Sequence, residues 1–274
     1  MKVMCVRQER CWMKQQKNEI RIIFFDIDGT LIDFDKKEIS AKMRETLKRL
    51  REKNILIAIA TGRAPLTLPK FEGVEFDVFL TFNGSYCYNK KEIIFSKSIP
   101  AEDVKKIIEN AAELNRPVSI ATQKRIVANG KDTDLVEYYD LAKLKIEVAD
   151  DFDETAKDMV YQIMLGSRKE EYPLLMKDVK NAKITAWWDR AVDIIPSDAG
   201  KGVGVDKILE YYHLDRSQAL AFGDGCNDIE MLQTVGLGVA MGNASEEVKK
   251  AADTVCGYVA EDGIYHFCVS QGLI

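Results

Sequence analysis

Four apolar runs in this chain break off at a small polar or acidic residue, and that recurrence limits the fold more than any other feature. "IRIIFF" (Ile20 to Phe25) stops at Asp26, with Asp28 two residues on. "ILIAIA" (Ile55 to Ala60) stops at Thr61-Gly62-Arg63. "VFLTF" (Val78 to Phe82) stops at Asn83-Gly84. "ALAFG" (Ala219 to Gly223) stops at Asp224, with Asn227 and Asp228 in the turn "GDGCND". Short apolar runs without alternation read as strands buried on both faces. Amphipathic stretches lie between them. In "SAKMRETLKRLREKN", Met43, Leu47 and Leu50 repeat at helical spacing behind a cap at Ser40. Strands alternating with helices predict an α/β fold on a doubly wound parallel sheet. Ligands of such sheets bind at the carboxyl ends of the strands, which is where these polar residues fall.

The rhythm changes between about Ser85 and Arg190. There "EIIFS", "PVSIAT", "MVYQIML" and "KITAWW" read as strands, and "AEDVKKIIENAAEL" and "KEEYPLLMKDV" as helices. We expect a second, inserted α/β domain with a more open antiparallel sheet. The first rhythm returns with "AVDIIP", a helix over "GKGVGVDKILEYY", the strand "ALAFG", and two short strands at "LGVAM" and "ADTVC". The expected layout is an N-terminal extension over 1–19, a core over 20–84 and 191–274, and an insert over 85–190. The opening "MKVMCVRQERCWMKQQKNEI" is too polar for a signal peptide. Met13 is a candidate true start, because "MKQQKNEIRIIFF" leads straight into the first strand; the intact mass of protein from its native host tests this.

Composition removes several function classes. The net charge of -5, from 44 acidic and 39 basic residues, argues against nucleic acid or an anionic membrane as partner. No apolar run approaches the ~20 residues of a membrane span. The six cysteines form no C-x-x-C pair, which argues against zinc, and read as reduced thiols of a cytoplasmic protein. His213 and His266 lie in no motif, so a cysteine nucleophile would lack a base.

The chemistry is carried by the strand ends. Two acids repel each other unless something offsets their charge, and Asp26 with Asp224 can converge on a hard divalent cation such as Mg²⁺. Gly29 and Gly225 permit tight turns and close backbone approach. Thr61 and the Gly62 amide can donate to a phosphate, and Lys201 adds a positive charge. A carboxylate can attack phosphorus, and a second acid two residues on can serve the leaving group and then water. Taken alone each signal is ordinary: a D-x-D in a turn, a polar strand exit, a surface lysine, a loop resembling a calcium site. It is their conjunction at one predicted sheet edge that points to phosphoryl transfer.

"DIDGTLID", "ATGR", Lys201 in "DAGKGVGVDKILEYY" and "GDGCNDIEML" resemble the four motifs of the haloacid dehalogenase (HAD) superfamily of phosphohydrolases. "GLGVAMGNASEEVKKAADTVC" is similar to the Cof-type branch. The resemblance runs from about Ile20 to the C-terminus. It implies a Rossmannoid core with a C2B-type cap as the insert. It also implies Asp26 as nucleophile and Mg²⁺ ligand, and Asp28 as general acid/base giving its backbone carbonyl to the metal. Thr61, Gly62, Lys201 and Asn227 would bind the phosphoryl group, and Asp224 and Asp228 would complete the metal site. The expected function is a Mg²⁺-dependent phosphatase of small phosphorylated metabolites, sugar phosphates or nucleotides, acting through an aspartyl-phosphate. A phosphomutase and a non-catalytic phosphometabolite-binding regulator are the alternatives, and the oligomeric state stays open. Candidates for contact with the leaving group are Arg63, Asn83, Trp187, Trp188 and Arg190. Strand alternation along "KITAWW" would send the two tryptophans to opposite faces. Lys124 and Arg125 are candidates for a second phosphate. Hinges between core and insert are expected near Asn83 to Tyr86 and Asp189 to Ile194.

Overall fold

The computed structural model of the protein describes residues 19–36 and 38–274. The N-terminal extension, with Met13, Cys5 and Cys11, therefore lies outside the described residues. The rest divides into two compact units. One holds the described residues up to Ile59, Phe71–Phe79 and Val205–Ile274; the other holds Ala60–Lys70 and Leu80–Gly204. Strands are numbered β1–β13 in chain order among the described residues.

The first unit is built on β1 (Ile22–Phe25), β2 (Leu56–Ala60), β3 (Val78–Thr81), β11 (Ala219–Gly223), β12 (Leu237–Ala240) and β13 (Thr254–Val255). The exits of β2 and β3 pass into the second unit. The strand order is β13-β12-β11-β1-β2-β3, and β1 pairs in parallel with both β2 and β11, as do β12 with β11 and β13. This is the expected doubly wound parallel sheet. Every residue of β1 and β11 is buried, which is why these runs are continuously apolar. The helix Ala41–Glu52 starts where Ser40 Oγ accepts the Met43 N–H at 2.9 Å, and it buries Met43, Leu47 and Leu50. Each such side chain contributes about 1.5–3 kcal/mol by leaving water. The chain builds outward from β1 on one side and from β11 on the other. The carboxyl ends of β1 and β11 are thus the topological switch point, the place where such sheets bind ligands.

The second unit carries an antiparallel sheet in the order β7-β6-β8-β10-β9, from β6 (Val118–Ala121), β7 (Ile126–Ala128), β8 (Gln162–Gly166), β9 (Ala182–Thr185) and β10 (Ala191–Pro196). Its core includes Ile107, Ile120, Ile163, Leu165 and Ile194. A hairpin of β4 (Tyr86–Asn89) and β5 (Ile93–Ser96) belongs to the same unit.

Several local expectations need correction. "AVDIIP", read as a return to the parallel core, is β10, paired antiparallel on both edges; a short, mostly apolar strand carries no mark of which sheet it joins. The hinge expected to reach Ile194 therefore ends inside a strand with two hydrogen-bonded neighbours. "KEEYPLLMKDV" forms a 3₁₀ turn over Lys169–Glu171 and one α turn over Tyr172–Leu175, since Pro173 suits only a first helical turn. A helix over Thr133–Leu141, capped where Asp132 accepts the Leu135 N–H, was missed. Trp187 and Trp188 lie beyond the end of β9, where alternation no longer applies. Their rings stack 6.3 Å apart rather than facing opposite ways.

Candidate active site

Parallel pairing fixes the first half of the site. Phe25 lies beside Phe222 in register, their rings stack 5.5 Å apart, and the Asp26 N–H donates to the Phe222 carbonyl. Asp26 thus leaves β1 next to the point where β11 runs into Asp224. After Asp28 the chain turns tightly: the Ile27 carbonyl accepts from Leu31 and Ile32, and Gly29 holds φ +87°. Glycine is required there twice over, because a Cβ would lie 2.2 Å from Asp224 Oδ2. The turn after β11 is organised by Asp228, whose Oδ2 accepts the N–H groups of Asp224 and Gly225 at 3.0 and 2.9 Å.

Carboxylate oxygens of Asp26, Asp224 and Asp228 come within 4.8 Å of one another. Asp26 and Asp228 are buried and Asp224 is half-buried. Three all-oxygen donors at that spacing fit a hard cation. The turn is further held by two residues that sequence reading passed over. Thr30 Oγ1 donates to Asp224 Oδ1 at 2.7 Å. Asn243 Nδ2 donates to the Gly29 carbonyl at 2.8 Å and reaches Asp224 Oδ2 at 3.4 Å. Both lie inside quoted motifs, "DIDGTL" and "MGNAS", but their partners are 194 and 19 residues away in sequence. Asn227 is half-buried in the same turn and Asp28 half-buried after β1.

The second unit holds Thr61, Gly62, Asn83 and Lys201. Thr61 and Gly62 follow β2, whose Ile59 is in register with Phe25. Thr61 Oγ1 accepts the Arg63 N–H at 3.1 Å, which leaves its hydroxyl hydrogen to donate. Lys201 opens the helix Lys201–Tyr212 and is 1% exposed. Asn83 lies against Gly62: a Cβ there would stand 3.0 Å from Asn83 Nδ2. Phe82 and Asn83 both hold left-handed backbone, φ 51° and 52°, at about 1–2 kcal/mol each. The Phe82 ring stacks on buried Tyr161 at 5.3 Å; the Phe82 N–H bonds the Arg63 carbonyl and the Asn83 N–H the Thr61 carbonyl.

Under this turn lies Asp193, 1% exposed on β10. Its Oδ2 accepts from Asn83 Nδ2 at 2.9 Å and its Oδ1 from the Tyr138 hydroxyl at 2.6 Å. Asn83 Nδ2 also reaches Gln162 Oε1 at 3.2 Å. Burial pushes the Asp193 carboxyl up to about 6, against the pull of these bonds and of Lys201. The remaining leaving-group candidates sort differently. The Arg63 guanidinium donates to the carbonyls of Thr67 and Ala142. Arg190 lies 4.3 Å over the Trp188 ring and bonds Glu137. Tyr138 and Trp187 pack at 5.4 Å. Arg125 is paired with Asp151 and Glu147, and Lys124 is exposed.

Comparison with known proteins matches this arrangement to one group. The family described as haloacid dehalogenase-like hydrolase matches residues 23–268. A putative phosphatase of Bacillus subtilis, YkrA, is 31% identical over 93% of this chain and 98% of its own length. The B. subtilis 5-amino-6-(5-phospho-D-ribitylamino)uracil phosphatase YitU is 28% identical over 90% of this chain and 95% of its own. The solved structure of a HAD subclass IIB sugar phosphatase superposes with a TM-score of 0.83 at 30% identity, over 93% of this chain and all of that one. The chain belongs to the haloacid dehalogenase-like hydrolases. Within them it is a phosphatase. Among the described residues, no helix is long and apolar enough to cross a membrane.

Proposed function

We propose that the protein is a Mg²⁺-dependent phosphatase of small phosphorylated metabolites, sugar phosphates or nucleotides, acting through an aspartyl-phosphate on Asp26. The observation that carries the reading is the meeting of Asp26, Asp224 and Asp228 at the switch point of the parallel sheet, with Asp28 two residues past the first of them. These three, with the Asp28 backbone carbonyl, would hold the cation. Bound there, Mg²⁺ supplies positive charge between like-charged carboxylate and phosphate.

The chain's own residues divide the rest. An Asp26 oxygen attacks phosphorus and forms a P–O bond, while the bond to the leaving oxygen breaks and that oxygen takes the proton of Asp28. Asp28, now ionised, accepts a proton from water. The water oxygen attacks phosphorus, orthophosphate leaves, and the Asp26 carboxylate is restored. Thr61, the Gly62 N–H, Lys201 and Asn227 bind the phosphoryl oxygens. The insert over 85–190 serves as the C2B-type cap. A leaving group with a polar ring is favoured by the half-buried Tyr138, Trp187 and Trp188 of that insert, since aromatic faces pack on sugar C–H faces and on bases. Names of relatives that act on a sugar phosphate and a phosphoribityl compound support the same class.

Phosphate release across a panel of phosphorylated metabolites, with Mg²⁺ or EDTA, tests the reading. Release that needs Mg²⁺ and vanishes in Asp26→Asn is expected. Release that persists in Asp26→Asn refutes the nucleophile, and release that persists in EDTA refutes the metal.

A further inference from the structure

Asp193 belongs to none of the four motifs and stands in a strand that reads as plain core. A buried carboxylate is costly to ionise unless it is paired and hydrogen-bonded. Here both oxygens are engaged by side chains from two other segments, Asn83 and Tyr138. The segment that Asn83 belongs to, Phe82–Gly84, is itself under backbone strain and persists only because its surroundings over-determine it. Two elements of the phosphoryl-binding half are seated on that segment. Gly62 lies against the Asn83 side-chain amide, and the Asn83 N–H bonds the Thr61 carbonyl. Gly84, at φ +88°, is packed so closely on the Gly200 carbonyl that a Cβ would come within 2.1 Å of it and 3.1 Å of the Lys201 nitrogen.

We propose that Asp193 is a positioning residue for phosphoryl binding: through Asn83 it pins the Phe82–Gly84 turn, and the turn in turn sets Thr61, Gly62 and the start of the Lys201 helix. The proposal rests on the reading of Thr61, Gly62 and Lys201 as the phosphoryl-binding residues. The carboxylate suits this task because it offers one acceptor to Asn83 and another to Tyr138 at once. An Asn in its place keeps the shape and one acceptor, and the Tyr138 hydroxyl can rotate to accept from its NH₂. An Ala keeps neither.

The test uses the full chain with Mg²⁺, p-nitrophenyl phosphate as substrate and inorganic phosphate as inhibitor. Asp193→Ala is expected to weaken phosphate inhibition roughly tenfold, the scale of one lost hydrogen bond to a charged group, and to lower kcat/KM alongside. Asp193→Asn is expected to restore most of both. The Mg²⁺ activation constant should stay within about twofold of wild type in each, because Asp26, Asp224 and Asp228 are untouched; general damage to the fold would move it too. Folded Asp193→Ala with wild-type phosphate inhibition overturns the proposal, and so does an Asp193→Asn as impaired as Asp193→Ala. Should Asp193→Ala not fold, Asn83→Ala cuts the same link from its other end and is expected to show the same loss; wild-type inhibition there overturns the proposal as well. Thr61→Val separates the two levels. If it leaves phosphate inhibition unchanged, the phosphoryl-binding reading falls and takes the proposal with it. If it weakens inhibition while Asp193→Ala does not, the proposal alone falls.

Discussion

Replacing Asp193 with Asn should change how stability depends on pH, in a direction the structure fixes. Folding moves the Asp193 carboxyl from the ordinary 3.8 up to about 6, chiefly by burial. At 1.36 kcal/mol per pKa unit, that difference of about 2 units amounts to about 3 kcal/mol. The folded state holds the proton more tightly than the unfolded chain. The stabilising contribution is therefore complete below about pH 4 and is lost as pH rises through about 6. At pH 7 the ionised carboxylate is a net burden on the fold, eased by Asn83, Tyr138 and Lys201. The two tyrosines near it do not blur the window. Tyr138 is held far above its usual range by burial, and burial pushes Tyr139 up to about 12.

Asp193→Asn cannot titrate, so the difference in unfolding free energy between it and wild type should shift by about 2 kcal/mol between pH 4 and pH 7.5, toward the variant as pH rises. Urea unfolding followed by tryptophan fluorescence measures this. Trp187 and Trp188 belong to the same unit as Asp193, and Trp12→Phe silences the third tryptophan in both proteins. A difference curve flat to within about 0.5 kcal/mol would refute the reasoning, because it would mean that Asp193 is not held desolvated. Such a variant, at least as stable as wild type at neutral pH, also keeps any change in phosphate binding from being mistaken for unfolding.

The remaining predictions concern the acidic half of the site and the thiols. Thr30→Val removes the donor to Asp224 Oδ1 and should raise the Mg²⁺ activation constant about 10-fold or more, as loss of groups that orient metal ligands does, with little change in melting temperature. Gly29→Ala places a methyl group on Asp224 Oδ2 in left-handed backbone and should lose both Mg²⁺ activation and about 1–2 kcal/mol or more of stability, read by metal titration and urea unfolding. Leu47→Ala, at a fully buried position of the helix Ala41–Glu52, should cost about 2–5 kcal/mol in urea unfolding with the Mg²⁺ activation constant unchanged. Brief iodoacetamide treatment of native protein should label Cys226, which is exposed, before Cys87 and Cys268, whose thiols burial holds well above the usual range; peptide mass mapping reads the order.

What could be read in the sequence follows a physical line. β1, β2, β11 and the helix Ala41–Glu52 are legible because burial on both faces, or on one stripe, leaves a periodic mark in a short window. The acids at the switch point are legible because chemistry needs particular residue types at strand exits. The antiparallel sheet is only half legible: "AVDIIP" announces a strand but not its neighbours, which lie in β8 and β9. Asp193 shows the limit most clearly. Within its own strand it is one polar residue among apolar ones, and only the folding of Asn83 and Tyr138 onto it, 110 and 55 residues away in sequence, shows what its carboxylate is bonded to. A fold seeking stability alone would place a neutral group of the same shape there, and would gain by it at neutral pH. A chain that keeps a charged acceptor at that point accepts strain in the Phe82–Gly84 turn and desolvation in β10 together. Departures from local rules that coincide in this way are expected where a site, rather than the core, sets the demand.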